Sequence, residues 1–328
     1  MKTHSDDLLC TPERGSESAC ASGAEGGAVG FALSAGLLVL NADFCCTAFA
    51  VNGIILAVGN VTAHAGVAGA VLFIAHVAPP YDFCTLLLSV FIFSLFGGFM
   101  ALYAIGDLHL SLANDKPMDI FGDVWESHEE KLKAGFSALN DDDVCVLCGD
   151  LSWGMGIDEC LEDFRFIDAL PGRKIILKGN HDYWWSTASK AKAFFEKNGI
   201  STIDILYNNF IPYGDCAICG TRGWFYEEEK GGEHDKKIMR REVMRLETSL
   251  KAAGDRQKLV FLHYPPIYQK YRCDEILELL RMYDVKLCCY GHIHGKGRQL
   301  AFGGWHERTE YKLVSADNLN FVPLKLPF

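Results

Sequence analysis

The sequence predicts a layered α/β domain over residues 100–328, and three observations support this fold class. From residue 101 onward, short apolar runs that fit buried strands alternate with longer segments that carry apolar residues at helical spacing. Charged residues are frequent there, whereas residues 26–106 contain only Asp43 and Asp82 as formal charges. No internal repeat is present, so the alternation argues for a layered α/β domain.

The first half of this domain alternates strand and helix. Each predicted strand is a short apolar run, and each predicted helix carries apolar residues among charged ones. Pro171-Gly172 stops the second helix, and Gly199 lies just beyond the end of the third. The predicted elements in chain order are strand 102–106, helix 124–139, strand 144–148, helix 157–170, strand 174–177 and helix 186–198.

The second half begins with a strand-rich section, 203–224. A stretch rich in both acidic and basic residues follows, with a Gly231-Gly232 break near its start. Such mixed charge is typical of a long surface helix. Short apolar runs complete the set of strands. The predicted elements are helix 227–253 and strands 259–262, 285–290, 299–302 and 311–314.

Residues 1–99 form a hydrophobic extension of different composition. The apolar runs 44–59 and 83–99 approach membrane-spanning length. No Lys or Arg occurs between Arg14 and Lys116, however, so the positive flanks that orient membrane spans are missing. The acidic, Gly/Ser/Ala-rich start also differs from a signal peptide.

Two interpretations of this extension stay open. Residues 28–99 would anchor the protein in a membrane, or Met100 is the native start and the protein is cytoplasmic. The second is favoured because Gly97-Gly98 can be encoded by a purine-rich ribosome-binding sequence upstream of Met100. In addition, a span ending near residue 99 would leave almost no tether before a strand that starts at residue 102.

The charge and the cysteine pattern argue against two kinds of site. The chain carries a formal net charge of −11, so counterion release contributes little and extended nucleic-acid binding is not expected. The pairs Cys145/Cys148 and Cys216/Cys219 have the C-x-x-C spacing of a zinc site. Both pairs lie in predicted strands, where positions three apart face opposite sides and cannot share one metal ion.

Five short polar clusters stand at the ends of predicted strands. Because the loops that leave the carboxyl ends of strands converge on one sheet edge, these clusters can meet in space. Their carboxylate, amide and imidazole groups are the ligands that suit divalent Mn, Fe or Zn. The clusters are Asp107-Leu-His109, Gly149-Asp150, Gly179-Asn-His-Asp182, His263 and Gly291-His-Ile-His294.

This ordered set of motifs resembles the signature of the calcineurin-like metallophosphoesterase superfamily, and it extends from Asp107 to His294. The runs that continue from Gly149-Asp150 and Gly179-Asn180 resemble a bacterial subgroup of predicted phosphohydrolases. The resemblance implies a four-layer α/β/β/α sandwich with two mixed β-sheets and a metal site at one sheet edge. It also implies hydrolysis of a small phosphate monoester or diester by a hydroxide bound between two divalent ions.

The resemblance further assigns the ligands. Asp150 would bridge the two ions, because one carboxylate can give an oxygen to each of two ions about 3.5–4 Å apart. His181 would stabilise the phosphoryl oxygens or protonate the leaving group. Asp182 would orient His181 or, alternatively, cap the next helix. The implied ligands are Asp107, His109, Asp150 and His294 for one ion, and Asp150, Asn180, His263 and His292 for the other.

Some neighbouring residues have two interpretations. Four aromatic residues follow the site loops, namely Trp153, Tyr183, Trp184 and Trp185. They could stack on a nucleobase, although packing at the rim is the commoner role. Arg222 could contact phosphate or be solvated in a turn.

For the whole protein, there are two alternatives to a phosphoesterase. One is a metal-dependent nuclease, which the acidic composition disfavours. The other is a membrane-anchored metal-binding regulatory protein with little turnover.

Overall fold

The computed structural model describes residues 100–114, 116–225 and 232–328, together with four strands within residues 37–76. The chain divides into two compact units, one over residues 15–98 and one that holds residues 99–328. In the first unit the four strands form an antiparallel sheet in chain order. They are β1 (Leu37–Val39), β2 (Phe44–Val51), β3 (Ile54–Thr62) and β4 (Ala68–His76).

The two apolar runs of the N-terminal extension have different outcomes. The run 44–59 lies on β2 and β3, which pair with each other antiparallel. The run 83–99 lies outside the described residues. Among the residues that the structure describes, no helix is long and apolar enough to cross a membrane. The favoured interpretation, that Met100 is the native start, stays a prediction.

A five-stranded mixed sheet forms the first half of the larger unit. Its order is β17-β5-β6-β7-β8, and β17, from the C-terminus, is antiparallel to β5 while the other pairs are parallel. All the parallel strands therefore end at the same edge. The strands are β5 (Leu102–Ile105), β6 (Val144–Leu147), β7 (Arg173–Ile176), β8 (Ile203–Ile205) and β17 (Leu324–Leu326).

A six-stranded mixed sheet forms the second half, in the order β15-β16-β14-β11-β10-β9. Its four central strands run parallel, and the two edge strands run antiparallel to their neighbours. A separate hairpin consists of β12 (Ile267–Tyr268) and β13 (Tyr271–Arg272). The strands of the sheet are β9 (Phe210–Tyr213), β10 (Cys216–Thr221), β11 (Gln257–Leu262), β14 (Leu287–Tyr290), β15 (Gly304–His306) and β16 (Thr309–Leu313).

Helices cover the outer face of each sheet, and the two inner faces pack on each other. In β5, Leu102 and Ala104 enter the apolar layer between the sheets, whereas Tyr103 and Ile105 enter the layer beneath the helices. The predicted four-layer α/β/β/α sandwich with two mixed sheets is therefore confirmed. The helices are α1 (His128–Phe136), α2 (Leu161–Ala169), α3 (Ala188–Lys197), α4 (Glu233–Ala252) and α5 (Asp274–Met282).

Some predicted elements differ from the structure. The predicted strand 299–302 is wrong, because residues Gly295–Leu300 form a 3₁₀ helix and Ala301 makes only an isolated bridge. The first helix starts four residues later than predicted, since Ser127 has a left-handed backbone with φ 50° that interrupts the helical path. Helix α5 and strand β17 were not predicted.

The cysteine interpretation is confirmed. Cys145 packs in the layer beneath the helices, whereas Cys148 packs between the two sheets. Cys219 likewise faces the helices, while Cys216 packs against the layer between the sheets. Neither C-x-x-C pair can hold one metal ion, and all four thiols are free.

Candidate metal centre

The five polar clusters meet at one edge of the sandwich, where parallel strands of both sheets end. Asp107, Asp150 and Asn180 follow β5, β6 and β7 of the first sheet. His263 and His292 follow β11 and β14 of the second sheet. The structure thus brings all seven predicted metal ligands to one place.

Several of the candidate ligand residues have a strained backbone. Asp107, His109, Asp150 and His292 lie in the left-handed region, with φ values of 60°, 48°, 53° and 72°. Residues other than Gly rarely adopt this region, and such outliers persist only where the surrounding structure enforces them. Here the tight turns after the strands point the side chains toward one another.

One group of candidate ligands consists of Asp107, His109 and His294. Their ligand atoms all lie within 4.8 Å of one another. The Nε2 atoms of the two imidazoles are 3.3 Å apart, and Nε2 of His294 is also 3.3 Å from Oδ1 of Asp107. The backbone N–H of His292 donates to the Asp107 carboxylate at 3.0 Å, which fixes the orientation of this carboxylate.

The second group consists of Asp150, His263 and His292, again with ligand atoms within 4.8 Å of one another. Oδ2 of Asp150 lies 3.5 Å from Nε2 of His263 and 3.9 Å from Nε2 of His109. The Asp150 carboxylate therefore lies between the two groups. Its other oxygen, Oδ1, accepts the backbone N–H of His181 at 2.8 Å.

The donor chemistry of the second group fits a cation. Nδ1 of His263 lies 2.9 Å from the carbonyl oxygen of Cys148. Because a carbonyl only accepts, Nδ1 of the neutral imidazole carries the proton and Nε2 keeps its lone pair. This lone pair faces Oδ1 of Asn180 at 2.6 Å. Two acceptors that face each other at this distance repel unless a cation lies beside both, so these residues fit a divalent metal ion.

The electrostatics of the centre agree with this interpretation. Burial and the neighbouring histidines hold the pKa values of His109 and His263 well below the usual range, and they lower the pKa of His292 to about 3. These imidazoles are neutral and can offer lone pairs to a metal ion. Burial and the carboxylates of Asp182 and Asp107 raise the pKa of Asp150 well above its usual value. A bound cation would relieve this repulsion.

Asp317 is a residue of the candidate centre that the sequence analysis missed. Its buried carboxylate accepts a hydrogen bond from Nδ1 of His294 at 3.0 Å and one from the backbone N–H of Gly295 at 3.0 Å. This contact holds the ring so that Nε2 of His294 faces the centre, and it would keep the proton on Nδ1 when a metal ion replaces the proton on Nε2. Although burial opposes it, Asp107 and Asp317 together raise the pKa of His294 to about 10. The available signal was its place just after the predicted strand 311–314.

His181 lies at the rim of the centre, half-buried among rings. Its ring centroid is 4.5 Å from that of Trp153, which in turn stacks on His109 at 5.0 Å. Burial and the positive charge of Lys116 lower the pKa of His181 to about 4. The ring is therefore neutral near pH 7. Of the predicted aromatic residues, Trp153 is beside the centre, whereas Trp184 and Trp185 are buried in the core.

Asp182 does not contact the His181 imidazole, in contrast to the predicted role. Among the hydrogen bonds of the described residues, its buried carboxylate accepts from backbone N–H groups of two loops and from one indole. These bonds hold the Asp150 loop against the loop that follows β7. The donors are the backbone N–H of Gly179 at 2.7 Å, Asp150 at 3.0 Å, Leu151 at 2.9 Å and Ser152 at 3.5 Å, and the Trp184 indole at 3.0 Å.

The alternative role of Asp182, as a cap of the next helix, also differs from the structure. The residue that caps α3 is Thr187, whose hydroxyl oxygen accepts the backbone N–H of Lys190 at 3.2 Å. Asp182 therefore acts on the geometry of the centre through the backbone, and it positions the Asp150 loop rather than the His181 ring.

Glycines allow the loops to approach the ligands closely. A Cβ atom at Gly291 would lie 2.4 Å from Oδ2 of Asp107. Gly291→Ala should therefore displace this carboxylate and weaken metal binding by roughly 10–100-fold, the range seen when groups that orient metal ligands are lost. Metal titration against a chromogenic chelator measures this effect. Gly303→Ala is the control, because a Cβ there meets no atom within 4 Å. Equal affinities of the two variants would contradict the expectation.

Comparison with known proteins identifies a related family. A family model described as calcineurin-like phosphoesterase matches residues 100–296. No curated protein matches this chain. Among solved structures, a phosphopantetheinyl hydrolase from Mycobacterium tuberculosis is 13% identical, with a TM-score of 0.47, over 69% of this chain and 95% of its own. A protein of unknown function from Aquifex aeolicus is 18% identical, with a TM-score of 0.39, over the same shares of the two chains.

Proposed function

We propose that this chain, which belongs to the calcineurin-like phosphoesterase family, is a hydrolase of small phosphate esters that uses two divalent metal ions. The observation that carries this proposal is the position of the Asp150 carboxylate between two groups of ligands. One group contains His109 and the other contains His263, and their Nε2 atoms are 3.9 Å and 3.5 Å from the same Asp150 oxygen. This arrangement supports one bridging carboxylate with an ion on either side.

The ligand sets follow from these distances. Asp107, His109 and His294 would hold one ion together with Asp150. His263, His292 and Asn180 would hold the other, again with Asp150. When bound, two such ions of Mn, Fe or Zn would lower the pKa of a water molecule and neutralise charge on the phosphoryl group.

The protein's own groups would orient the substrate. A neutral His181 ring can donate an N–H to a phosphoryl oxygen, and a bound phosphate dianion would raise its pKa toward the range needed to protonate a leaving group. Trp153 packs against both His181 and His109, so it holds these rings in place and keeps water from their buried sides. Asp317 and the Cys148 carbonyl fix the tautomers of His294 and His263.

The substrate is proposed to be a small phosphorylated molecule. The formal net charge of −11 disfavours an extended nucleic-acid partner, because few phosphate contacts would be available. Metal ions and a few local groups therefore have to supply the affinity. Both monoesters and diesters fit this chemistry.

The test of this proposal is metal content together with turnover. We expect the full chain, reconstituted with Mn²⁺, Fe²⁺ or Zn²⁺, to bind about two ions, since a carboxylate-bridged pair of sites requires this stoichiometry. The loaded chain should hydrolyse an aryl phosphate. Elemental analysis after desalting measures the stoichiometry, and release of the aryl alcohol measures turnover. A chain that retains no metal after reconstitution would refute the proposal.

A further inference from the structure

A basic pocket of about 230 Å³ is lined in part by Lys178, which is two residues from the candidate ligand Asn180. Four positively charged side chains and one carboxylate line it, and Tyr207 forms part of its wall. The pocket therefore carries an excess of positive charge in a protein that is acidic overall. Its charged residues are Lys178, Arg222, Arg241, Glu242 and Arg245.

The single carboxylate is already engaged. Glu242 is buried, and its side chain accepts hydrogen bonds from the hydroxyl of Thr221 and from the guanidinium groups of Arg222 and Arg245. Within the described ranges, no ion pair joins Lys178 or Arg241 to a carboxylate. Neither charge is thus paired with a described carboxylate, and Nζ of Lys178 donates a hydrogen bond to the neutral carbonyl of Trp185 at 3.5 Å.

The pocket also contains a buried hydrogen-bond donor that has no partner among the described residues. This donor is Nε of Arg222. A bound anion would reduce the repulsion between the positive side chains of the pocket. Arg guanidinium groups are suited to this because they bind phosphate or carboxylate oxygens in a bidentate manner.

Two links connect the pocket to the candidate metal ligands, one along the chain and one through backbone hydrogen bonds. Lys178 is two residues before Asn180, so the two Cα atoms are at most roughly 7 Å apart. The backbone carbonyl of Arg222 accepts the N–H of His263 at 3.1 Å and that of Tyr264 at 2.9 Å. The pocket thus adjoins the side of the centre that contains Asn180 and His263.

The size of the pocket limits what it can hold. Sites that enclose a whole small molecule usually measure about 300–1,000 Å³. A volume of about 230 Å³ is better suited to one part of a ligand. We infer that the basic pocket binds a second anionic group, a phosphate or a carboxylate, on the same substrate whose phosphoryl group reacts at the metal centre. This inference rests on the proposed function and narrows its substrate class.

The experiment compares three substrates with the same carbon frame. Glycerol phosphate has no second anionic group, phosphoglycerate adds a carboxylate, and glycerol bisphosphate adds a phosphate. We expect the metal-loaded full chain to prefer one of the last two by about tenfold or more in kcat/KM, mainly through KM, because one charged hydrogen bond changes affinity on that scale. Which of the two is preferred identifies the anion.

The variants assign this preference to the pocket. Arg241→Ala and Lys178→Ala should reduce the preference about tenfold, because each removes a charge that contacts the second anionic group. Arg240→Ala is the matched control, since this neighbour on α4 is exposed and does not line the pocket. It should keep the wild-type preference. Equal kcat/KM values for the three substrates, or equal losses in all three variants, would overturn the inference.

A binding measurement separates this inference from the proposed function. Calorimetric titration of the full chain with glycerol bisphosphate and with glycerol phosphate reports affinity without turnover. If the chain hydrolyses nothing but binds the bisphosphate more tightly in an Arg241-dependent manner, the anion pocket stands and the hydrolase proposal fails. If the chain hydrolyses glycerol phosphate and shows no preference in binding or in turnover, the pocket inference fails and the hydrolase proposal stands.

Discussion

Asp150→Asn is expected to reduce kcat/KM by at least about 10³-fold, well beyond the roughly 10–100-fold cost of losing a group that only orients a metal ligand. The carboxylate lies between His109 and His263 and would serve both ions. An amide keeps one oxygen that can accept the His181 backbone N–H, but it loses the negative charge and one ligand atom. Metal content by elemental analysis should fall at both sites together.

The stability of this variant provides a second readout. Because burial and two other carboxylates raise the pKa of Asp150 in the folded protein above its value in the unfolded chain, this group lowers the stability of the metal-free state at pH values above the unfolded pKa, pH 7 included. Asp150→Asn should therefore leave the Tm of the metal-free chain equal or higher, and it should remove most of the rise in Tm on adding metal. Asp158→Asn, an exposed carboxylate in the same connection, is the control. A variant with wild-type metal content would contradict the bridging role.

His181→Ala is expected to lower kcat by about 10²–10⁴-fold while metal content stays at the wild-type level, because general acid catalysis and donation to the phosphoryl group contribute in this range. The side chain lies at the rim and packs on Trp153 rather than within either ligand group. The loss should be larger for an alkyl phosphate than for an aryl phosphate, since the alkoxide is the poorer leaving group and depends more on protonation.

The control for this variant is His234→Ala, which changes an exposed histidine of α4 that belongs to neither ligand group. It should leave both substrates unaffected. If His181→Ala retained full kcat on the alkyl phosphate, His181 would have no part in leaving-group departure. If it lost metal as well, His181 would act as a ligand or as a support of one.

Most of the fold was accessible from the sequence because its strands are buried on both faces and appear as short apolar runs. In β5, Leu102 and Ala104 face one apolar layer, and Tyr103 and Ile105 face the other. A strand that is buried on both faces therefore has apolar residues at every position. The run 299–302 has a similar composition, yet it forms a 3₁₀ helix and a single bridge. Nothing local distinguishes it, since pairing with a partner strand decides the outcome.

The convergence of the candidate ligands was predictable, whereas the residues that support them were not. Asp107 and His292 belong to short motifs whose residue types show metal chemistry directly. Asp182 and Asp317 are instead defined by partners from other loops, which are the backbone N–H groups of the Asp150 loop and the His294 imidazole. Asp317 is 23 residues away from His294 in the chain. A carboxylate whose function depends on such distant partners has no signature in a single sequence.

The candidate ligands of each ion come from both β-sheets. Asp107 and Asp150 belong to loops of the five-stranded sheet, whereas His294 and His263 follow strands of the six-stranded sheet. A bound ion would therefore act as a cross-link between the two halves of the sandwich, and its binding free energy would add to the free energy of unfolding. Metal supply would then govern how much of the protein survives in the cell, because a chain without metal would unfold more often and be degraded faster.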